Sequence, residues 1–285
     1  MDQVRATYKR RDAWWTVLLV DPLAGRLVRV LAGVGWVTPT RLTLTAFLLG
    51  LAAATTFLAG GGWLALGAVL YYASFLLDCV DGKVARLRGT STVLGSWVDF
   101  LLDRVRVVAG TFALFTGGFL ATGRAAFLLA GIGVAFLTLF GYVNGAAITN
   151  AQATMAQRLA GAAGQPAAAG SPPAGDGPAG RLGDALHARR IRLNLVSGVE
   201  FESALFVIAP VAAAVAGPVA VLWVAAVAGG LLICFELALM ARFWRAARAF
   251  DRSGAGRLPS PTGAPEVAPR EPRARAGTGG PPTPA

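Results

Sequence analysis

Charged side chains are scarce in this sequence. Asp, Glu, Lys and Arg together make up only 14% of the 285 residues, whereas 55% of the residues are hydrophobic. Soluble domains contain about 25% charged residues, which help to cover their surface. The low charge content therefore argues against a soluble globular domain and predicts a protein that lies in a lipid bilayer.

Cysteine and histidine are almost absent as well. Cys79 and Cys234 lie in apolar or motif sequence, and their spacing resembles neither a disulfide framework nor a zinc site. His187 is the single histidine. It falls in a predicted exposed loop, so we expect a surface residue rather than a metal ligand. These absences argue against a disulfide-stabilised fold and against a zinc centre.

The charges that are present are mainly basic. The sequence has 26 Lys and Arg against 15 Asp and Glu, which gives a formal net charge of +11. Such an excess favours a partner with an anionic surface. In a chain this apolar, the expected partner is the headgroup layer of membrane lipids, and we expect no nucleic acid.

Six stretches are apolar enough to cross a membrane, which takes about 20 residues of helix. They run roughly over residues 42–60, 62–80, 94–120, 125–148, 200–216 and 218–241. The sequence therefore predicts an all-α integral membrane protein with six transmembrane helices.

Basic residues collect in the segments on one side of these spans. The segments are the N-terminal arm, the linker with Lys83, Arg86 and Arg88, the loop with Arg158, Arg181, Arg189, Arg190 and Arg192, and the C-terminal tail. The links on the other side carry almost no charge. Because basic loops stay in the cytoplasm, we predict a multi-pass protein of the cell membrane with both termini and the basic loops in the cytoplasm.

The N-terminal part, residues 1–36, is expected to lie in the cytoplasm or at the membrane surface. Within it, residues 13–36 alternate apolar clusters with Arg26 and Arg29. This pattern is typical of an amphipathic helix in the plane of the interface. A plain soluble arm is the alternative.

The six-helix domain is predicted to cover residues 37–248. A flexible cytoplasmic loop is expected at about residues 152–190, and within it residues 165–180 are mostly Pro, Gly, Ala and Ser. The tail, residues 249–285, has a similar composition with scattered arginines. Such segments bury too little apolar surface to fold, so both are predicted to be disordered.

Four aspartates fall within the 26 residues from Asp78 to Asp103. Asp78 and Asp81 lie three residues apart at the end of the second span, and Asp99 and Asp103 lie four apart near the start of the third. Each pair therefore shares one helix face, and a helical hairpin can bring the two faces together. Four carboxylates would repel each other unless cations neutralised them. Oxygen ligands favour Mg²⁺ or Mn²⁺, and two such ions suit displacement at phosphorus.

Small and basic residues accompany the aspartates. Gly82 follows Asp81, Gly95 opens the third span, and Ala85 lies one helical turn after Asp81. A ligand can approach the backbone closely at such positions. Arg86 and Lys83 supply cationic groups for a phosphate.

The same residues also have a purely structural interpretation. In it, the aspartates are interfacial charges, and Asp81 and Asp99 pair with Arg86 and Arg88. Four aspartates on two adjacent helix ends, with small residues between them, favour the metal site.

The spacing of this segment resembles the signature of the CDP-alcohol phosphatidyltransferase family. That signature reads D-x-x-D-G-x-x-A-R, eight residues, then G-x-x-x-D-x-x-x-D. Its fixed positions are matched by Asp78, Asp81, Gly82, Ala85, Arg86, Gly95, Asp99 and Asp103. The resemblance covers residues 36–148 and implies the family's six membrane helices with an amphipathic helix before them.

The resemblance implies a metal-dependent enzyme. Asp78, Asp81 and Asp99 would hold two ions of Mg²⁺ or Mn²⁺, with Asp103 as a further ligand and as the general base. The nucleotide and diphosphate would be lined by Gly82, Ala85, Arg86, Thr92 and Gly95.

Residues 38–43 resemble a second family motif, T-P-N-x-x-T, which contacts cytidine at the start of the first span. Thr40 stands where the family has Asn or Asp, and Thr43 matches the motif. The alternative is an N-terminal cap for the first transmembrane helix.

By the same resemblance, the reaction is the transfer of a phosphatidyl group from CDP-diacylglycerol to a hydroxyl acceptor, with release of CMP. Asp103 would take the proton from the attacking hydroxyl. The family also implies a homodimer. Two alternatives from other classes are a membrane transporter that uses the aspartates as a cation pathway and a scaffold without activity.

The acceptor is left open by the resemblance. Asp103 followed by Arg104 is similar to the branch that makes inositol-phosphate lipids, and the basic run at residues 189–192 is a candidate for an acceptor phosphate. That branch has arginines where this sequence has residues 142–145 and 198–202. Inositol phosphate, glycerol 3-phosphate, inositol and serine therefore stay possible acceptors.

Several polar residues within apolar spans have two interpretations. Glu200, Glu202 and Glu236 either contact the acceptor or satisfy a neighbouring cation or helix end. Tyr142 and Asn144 either reach the active-site cavity or pack the bundle through hydrogen bonds.

Overall fold

The computed structural model describes residues 13–163 and 197–253, and the described residues form helices joined by short links. A π-helical turn, Thr16–Val20, leads into the first helix. The helices are α1 Asp21–Ala32, α2 Pro39–Ala59, α3 Trp63–Leu87, α4 Val93–Thr122, α5 Ala126–Ala163, α6 Gly198–Ala216 and α7 Val219–Arg252.

Helices α2 to α7 are each long and apolar enough to cross a membrane. This finding confirms the predicted all-α membrane fold with six spans. The helices run past the apolar stretches that predict them, most of all α5 and α7. Helix formers such as Ala, Gln, Leu and Arg continue the hydrogen-bonded backbone after the hydropathy has fallen.

Two predicted boundaries move for this reason. Helix α5 continues to Ala163, so residues 152–163, which were expected to belong to the loop, are helical. Helix α7 continues to Arg252, so residues 249–252, which were expected to belong to the tail, are helical as well. Residues 1–12, 164–196 and 254–285, on which the rest of the loop and tail predictions fall, lie outside the described residues.

Local signals explain how α2 starts and stops. Thr38 has an extended backbone, its hydroxyl accepts a hydrogen bond from the Arg41 N–H, and Pro39 takes the first helical position. The helix ends at Gly60 and Gly61, whose φ angles of 69° and 54° lie in the region that glycine adopts without strain. The two glycines turn the chain directly into α3.

The core forms where α2 packs against α3 and α4. Gly67 on α3 leaves room for Phe57, and Gly117 on α4 lies against the backbone of α2, with the Phe57 carbonyl oxygen only 2.3 Å from a Cβ built at Gly117. The Phe57 ring then meets Tyr71 and Phe206. Small residues at helix contacts allow this close approach in membrane proteins.

Helix α1 lies along the end of α3 that carries the aspartates. Its buried face, which includes Val28, packs on Val84 of α3, and its Asp21 pairs with Lys83 at 3.1 Å. The Arg88 guanidinium, just after α3, donates to backbone carbonyls at the C-terminal end of α1 and just beyond it. The opposite side of α1 is exposed and holds Leu23, Arg26 and Val30. The helix is therefore amphipathic and firmly attached to α3.

Candidate functional site

Three aspartates meet at one end of the bundle. Asp78 and Asp81 lie on one face of α3, and Asp99 lies in the second turn of α4. One carboxylate oxygen from each lies within 4.8 Å of the other two. Asp81 is almost fully buried, with 3% of its surface exposed. The convergence predicted from the spacing of these three residues is therefore present.

The group fits a hard divalent cation. Its donors are carboxylate oxygens, which suit Mg²⁺ or Mn²⁺ rather than a metal that prefers sulfur or nitrogen. Two oxygens on opposite sides of a Mg²⁺ ion are about 4.2 Å apart. The three oxygens lie within 4.8 Å of one another, so a modest movement of the side chains would bring all three to one ion.

Thr43 joins this group from the first turns of α2. Its hydroxyl donates to Asp81 Oδ2 at 2.5 Å and lies 3.0 Å from the Pro39 carbonyl oxygen. The capping role proposed for residues 38–43 belongs to Thr38. Thr40 is exposed on the first turn. The segment therefore both starts the helix and, through Thr43, reaches the aspartates.

The small residues after Asp81 lie next to a cationic group. A Cβ built on Gly82 would lie 3.4 Å from Arg86 Nη1, so the Arg86 guanidinium covers Gly82. Ala85 is half-buried beside it. Arg86 itself is exposed, which leaves a positive group at the rim of the aspartate cluster.

Thr92 and Gly95 shape the start of α4. The Thr92 hydroxyl accepts a hydrogen bond from the Gly95 N–H at 3.0 Å, and a Cβ on Gly95 would approach that hydroxyl to 2.9 Å. The cap fixes the first turn of the helix that carries Asp99 one turn later. The nucleotide contacts expected of Thr92 and Gly95 stay a prediction.

Asp103 has a different environment from the other three aspartates. Its Oδ2 accepts a hydrogen bond from Arg104 and its Oδ1 accepts one from Arg106. With Asp78, Thr43 and Arg106, it lines a narrow, tightly packed cleft. Asp103 therefore faces the same cleft as Asp78 but is held by two arginines. Its role as a fourth metal ligand stays a prediction.

Arg106 is a site residue that the sequence analysis missed. It is 2% exposed, donates to Ser74 Oγ at 3.0 Å and lies 3.9 Å from Asp78 Oδ1. An arginine inside an apolar span, three residues after Asp103, is a signal that the sequence contains. The eight-position signature ends before it.

Polar residues from two further helices, α5 and α6, surround Arg104. Its guanidinium stacks on the Tyr142 ring at 3.7 Å, and its Nη1 lies 3.8 Å from Glu202 Oε1. The Tyr142 hydroxyl donates to that same carboxylate oxygen at 2.5 Å. Glu202 thus satisfies a neighbouring cation, as one of its two interpretations predicts, and it does so next to Asp103.

The other two glutamates are also bonded. Glu200 accepts a hydrogen bond from the Ser197 N–H at 2.9 Å and so caps the start of α6. Glu236 on α7 accepts one from Asn144 Nδ2 at 2.7 Å. These contacts support the structural interpretation of Glu200, Glu236 and Asn144. The predicted acceptor site at residues 189–192 lies outside the described residues.

Comparison with known proteins agrees with this arrangement. Residues 36–172 match the family model of the CDP-alcohol phosphatidyltransferases. Over 111 residues the chain is 35% identical to the archaetidylinositol phosphate synthase of Methanothermobacter thermautotrophicus, and over 116 residues 34% identical to that of Pyrococcus horikoshii. Over 68 residues it is 43% identical to the bifunctional IPC transferase and DIPP synthase of Thermococcus kodakarensis.

These alignments cover only part of each protein. They span 39% and 41% of this chain and about half, 51% and 55%, of the two archaetidylinositol phosphate synthases. The third spans 24% of this chain and 15% of the Thermococcus protein. The family model covers the segment in which the three converging aspartates lie. Residues 36–172 are therefore identified as a CDP-alcohol phosphatidyltransferase domain.

Proposed function

We propose that this protein transfers the phosphatidyl group of CDP-diacylglycerol to a hydroxyl acceptor in a metal-dependent reaction that releases CMP. The observation that carries the proposal is the group of three aspartate oxygens within 4.8 Å of one another, at the ends of two adjacent apolar helices. Ionisable residues at such positions are costly and usually functional.

The donor's diphosphate is assigned to the side of the cluster formed by α2 and α3. Asp78, Asp81 and Asp99 would hold Mg²⁺ or Mn²⁺, and the bound metal would offset the charge that develops on the diphosphate. Thr43 keeps Asp81 in place through its hydrogen bond. Arg86, whose guanidinium lies over Gly82, supplies a positive group for a phosphate.

Asp103 is assigned as the general base. Each of its carboxylate oxygens accepts one hydrogen bond from an arginine, and a carboxylate has about four lone-pair positions in all. Asp103 can therefore still accept the proton of the acceptor hydroxyl. The hydroxyl oxygen then bonds to the lipid-side phosphorus, the bond from that phosphorus to the CMP oxygen breaks, and CMP leaves with the electron pair.

The acceptor is assigned to the polyols and their phosphates. Two relatives are named archaetidylinositol phosphate synthases, which makes inositol phosphate the first acceptor to test. Arg104, Tyr142 and Glu202 adjoin the base and offer both donors and acceptors to a hydroxyl compound. Glycerol 3-phosphate, inositol and serine complete the panel.

The site is assigned to the cytoplasmic face of the cell membrane, because the basic linker and loop lie at the same end of the predicted spans. A homodimer is part of the proposal. Large apolar side chains on α4 and α5 are exposed, among them Trp97, Phe112 and Phe136. Such a face suits either lipid tails or a second copy of the chain.

The test is an assay of purified full-length protein in lipid vesicles with CDP-diacylglycerol, Mg²⁺ or Mn²⁺, and the panel of acceptors. CMP release and the lipid product are both measured. We expect CMP release that requires metal and one acceptor, and loss of that release in Asp103→Asn. Asp251→Asn, at the exposed end of α7, is the matched control and is expected to retain full activity.

The alternatives give different results in the same vesicles. A metal-dependent ion flux without CMP release from any acceptor would refute the transferase and support a cation pathway. An Asp103→Asn variant that keeps wild-type CMP release would remove Asp103 from the mechanism.

A further inference from the structure

Arg106 lies deep in the bundle, although its charge is costly in an apolar span. It is 2% exposed, it contacts Asp103, and its guanidinium lies 5.5 Å from the centre of the Tyr71 ring. An arginine is always protonated in a protein. Arg106 therefore brings a permanent positive charge to the edge of the aspartate cluster.

The surrounding helices are shaped to receive this side chain. A Cβ on Gly50 of α2 would lie 2.4 Å from Arg106 Cδ and 2.5 Å from its Cγ, so only glycine leaves the space. Ser74 of α3 donates its hydroxyl hydrogen to the Ala46 carbonyl oxygen at 2.6 Å. The Ser74 oxygen is thereby oriented to accept from Arg106 Nη1 at 3.0 Å. Helix α2 thus leaves room for the Cγ and Cδ atoms of Arg106, and α3 binds its guanidinium.

The position of the guanidinium links two parts of the proposed mechanism. It bonds to Asp103, the assigned base, and lies 3.9 Å from Asp78, an assigned metal ligand. Without a cation, the neighbouring carboxylates would repel each other. A buried positive charge at this point offsets part of that repulsion whether or not a metal is bound.

We propose that Arg106 is a positioning residue that acts as a built-in counter-cation: it orients Asp103 and offsets the charge of Asp78 and Asp103. The inference rests on the proposed function, because it concerns the same metal-dependent site. It has two consequences. Arg106 speeds the reaction by holding the base, and it weakens metal binding, because it already neutralises part of the charge that attracts the ion.

The test compares wild type with Arg106→Met, using Mn²⁺ alone as the probe. The midpoint of thermal unfolding is measured in detergent micelles over a range of Mn²⁺ concentrations, and CMP release is measured in parallel. Without metal, we expect Arg106→Met to unfold at a lower temperature than wild type. On addition of Mn²⁺, we expect its unfolding midpoint to rise by more than that of wild type. Arg106 lies 3.9 Å from Asp78, an assigned metal ligand. Loss of its positive charge should therefore lower the half-saturating Mn²⁺ concentration about tenfold or more. CMP release should fall about 10- to 100-fold, as is typical when a group that orients such a site is removed.

Two further variants separate charge from geometry. Arg106→Lys keeps the charge but lacks the planar guanidinium that bonds Ser74 and Asp103 through separate nitrogens. The wild-type shift of the unfolding midpoint by Mn²⁺ should therefore return, while CMP release stays low. Gly50→Ala keeps Arg106 but forces its side chain to move, and it should lower CMP release even if Arg106→Met does not fold. Arg124→Met, in an exposed link, is the control for loss of an arginine.

The outcomes distinguish the inference from the proposed function. The proposed role of Arg106 as a counter-cation is refuted if Mn²⁺ raises the unfolding midpoint of Arg106→Met no more than that of wild type, or if Gly50→Ala keeps full CMP release. The proposed transferase activity is not affected by either result. If wild type itself shows neither a Mn²⁺-dependent shift nor CMP release, the metal-dependent transferase is refuted and the inference falls with it.

Discussion

The ion pair between Asp21 and Lys83 gives the sharpest prediction about how the fold supports the site. It joins α1 to the turn of α3 that follows Asp81, with 3.1 Å between the charged atoms, and both side chains are only 6–7% exposed. Breaking a buried ion pair by removing one of its partners costs up to about 3–5 kcal/mol. We therefore expect Lys83→Met to lower the free energy of unfolding by up to that amount.

The assay is unfolding by sodium dodecyl sulfate in mixed micelles, followed by circular dichroism. The double variant Asp21→Leu with Lys83→Met removes both charges and should recover most of the loss, since apolar replacement of a whole buried pair is often close to neutral. Arg26→Met, on the exposed face of α1, is the control and should change stability by less than about 1 kcal/mol. A Lys83→Met variant as stable as this control would show that the pair does not fasten α1 to α3.

Three further predictions concern the helix contacts and are measured by the same unfolding assay. Gly117→Ala places a Cβ 2.3 Å from a backbone carbonyl oxygen and should lower the free energy of unfolding by about 1–3 kcal/mol. Gly133→Ala, which has open space around it, should not lower it. Equal effects of the two substitutions would contradict the close contact at Gly117. Thr92→Ala removes the cap of α4 and should cost about 1 kcal/mol, and an unchanged stability would show that the cap is not needed. Asn144→Val leaves Glu236 without its donor and should cost about 0.6 kcal/mol and at most about 1.7, so a loss of several kcal/mol would point to a larger role.

The membrane fold could be predicted because each span is a long apolar run. The aspartate group could be predicted because residues three or four apart share a helix face, and a short link between two helices brings those faces together. Asp78, Asp81 and Asp99 meet for that reason. Hydropathy does not mark where a helix ends outside the membrane, so the extensions to Ala163 and Arg252 could not be predicted.

The environment of Asp103 could not be predicted in the same way. The i, i+3 spacing of Asp103 and Arg106 allows their contact on one helix. The space for the Arg106 side chain and its further hydrogen bond, however, come from Gly50 and Ser74 on other helices. Which faces of three helices meet is decided by packing, and the local pattern around each residue does not contain that information. The contact of Glu202 with Arg104 depends on packing for the same reason.

The central claim is that Asp78, Asp81 and Asp99 bind one divalent cation together. The most direct measurement is Mn²⁺ binding to the purified protein without substrate, followed by electron paramagnetic resonance of the free ion, for wild type and Asp81→Asn. The account predicts saturable binding by wild type and its loss in Asp81→Asn, with Asp251→Asn binding as wild type does. Binding by Asp81→Asn with unchanged affinity, or the absence of binding by wild type, would contradict it.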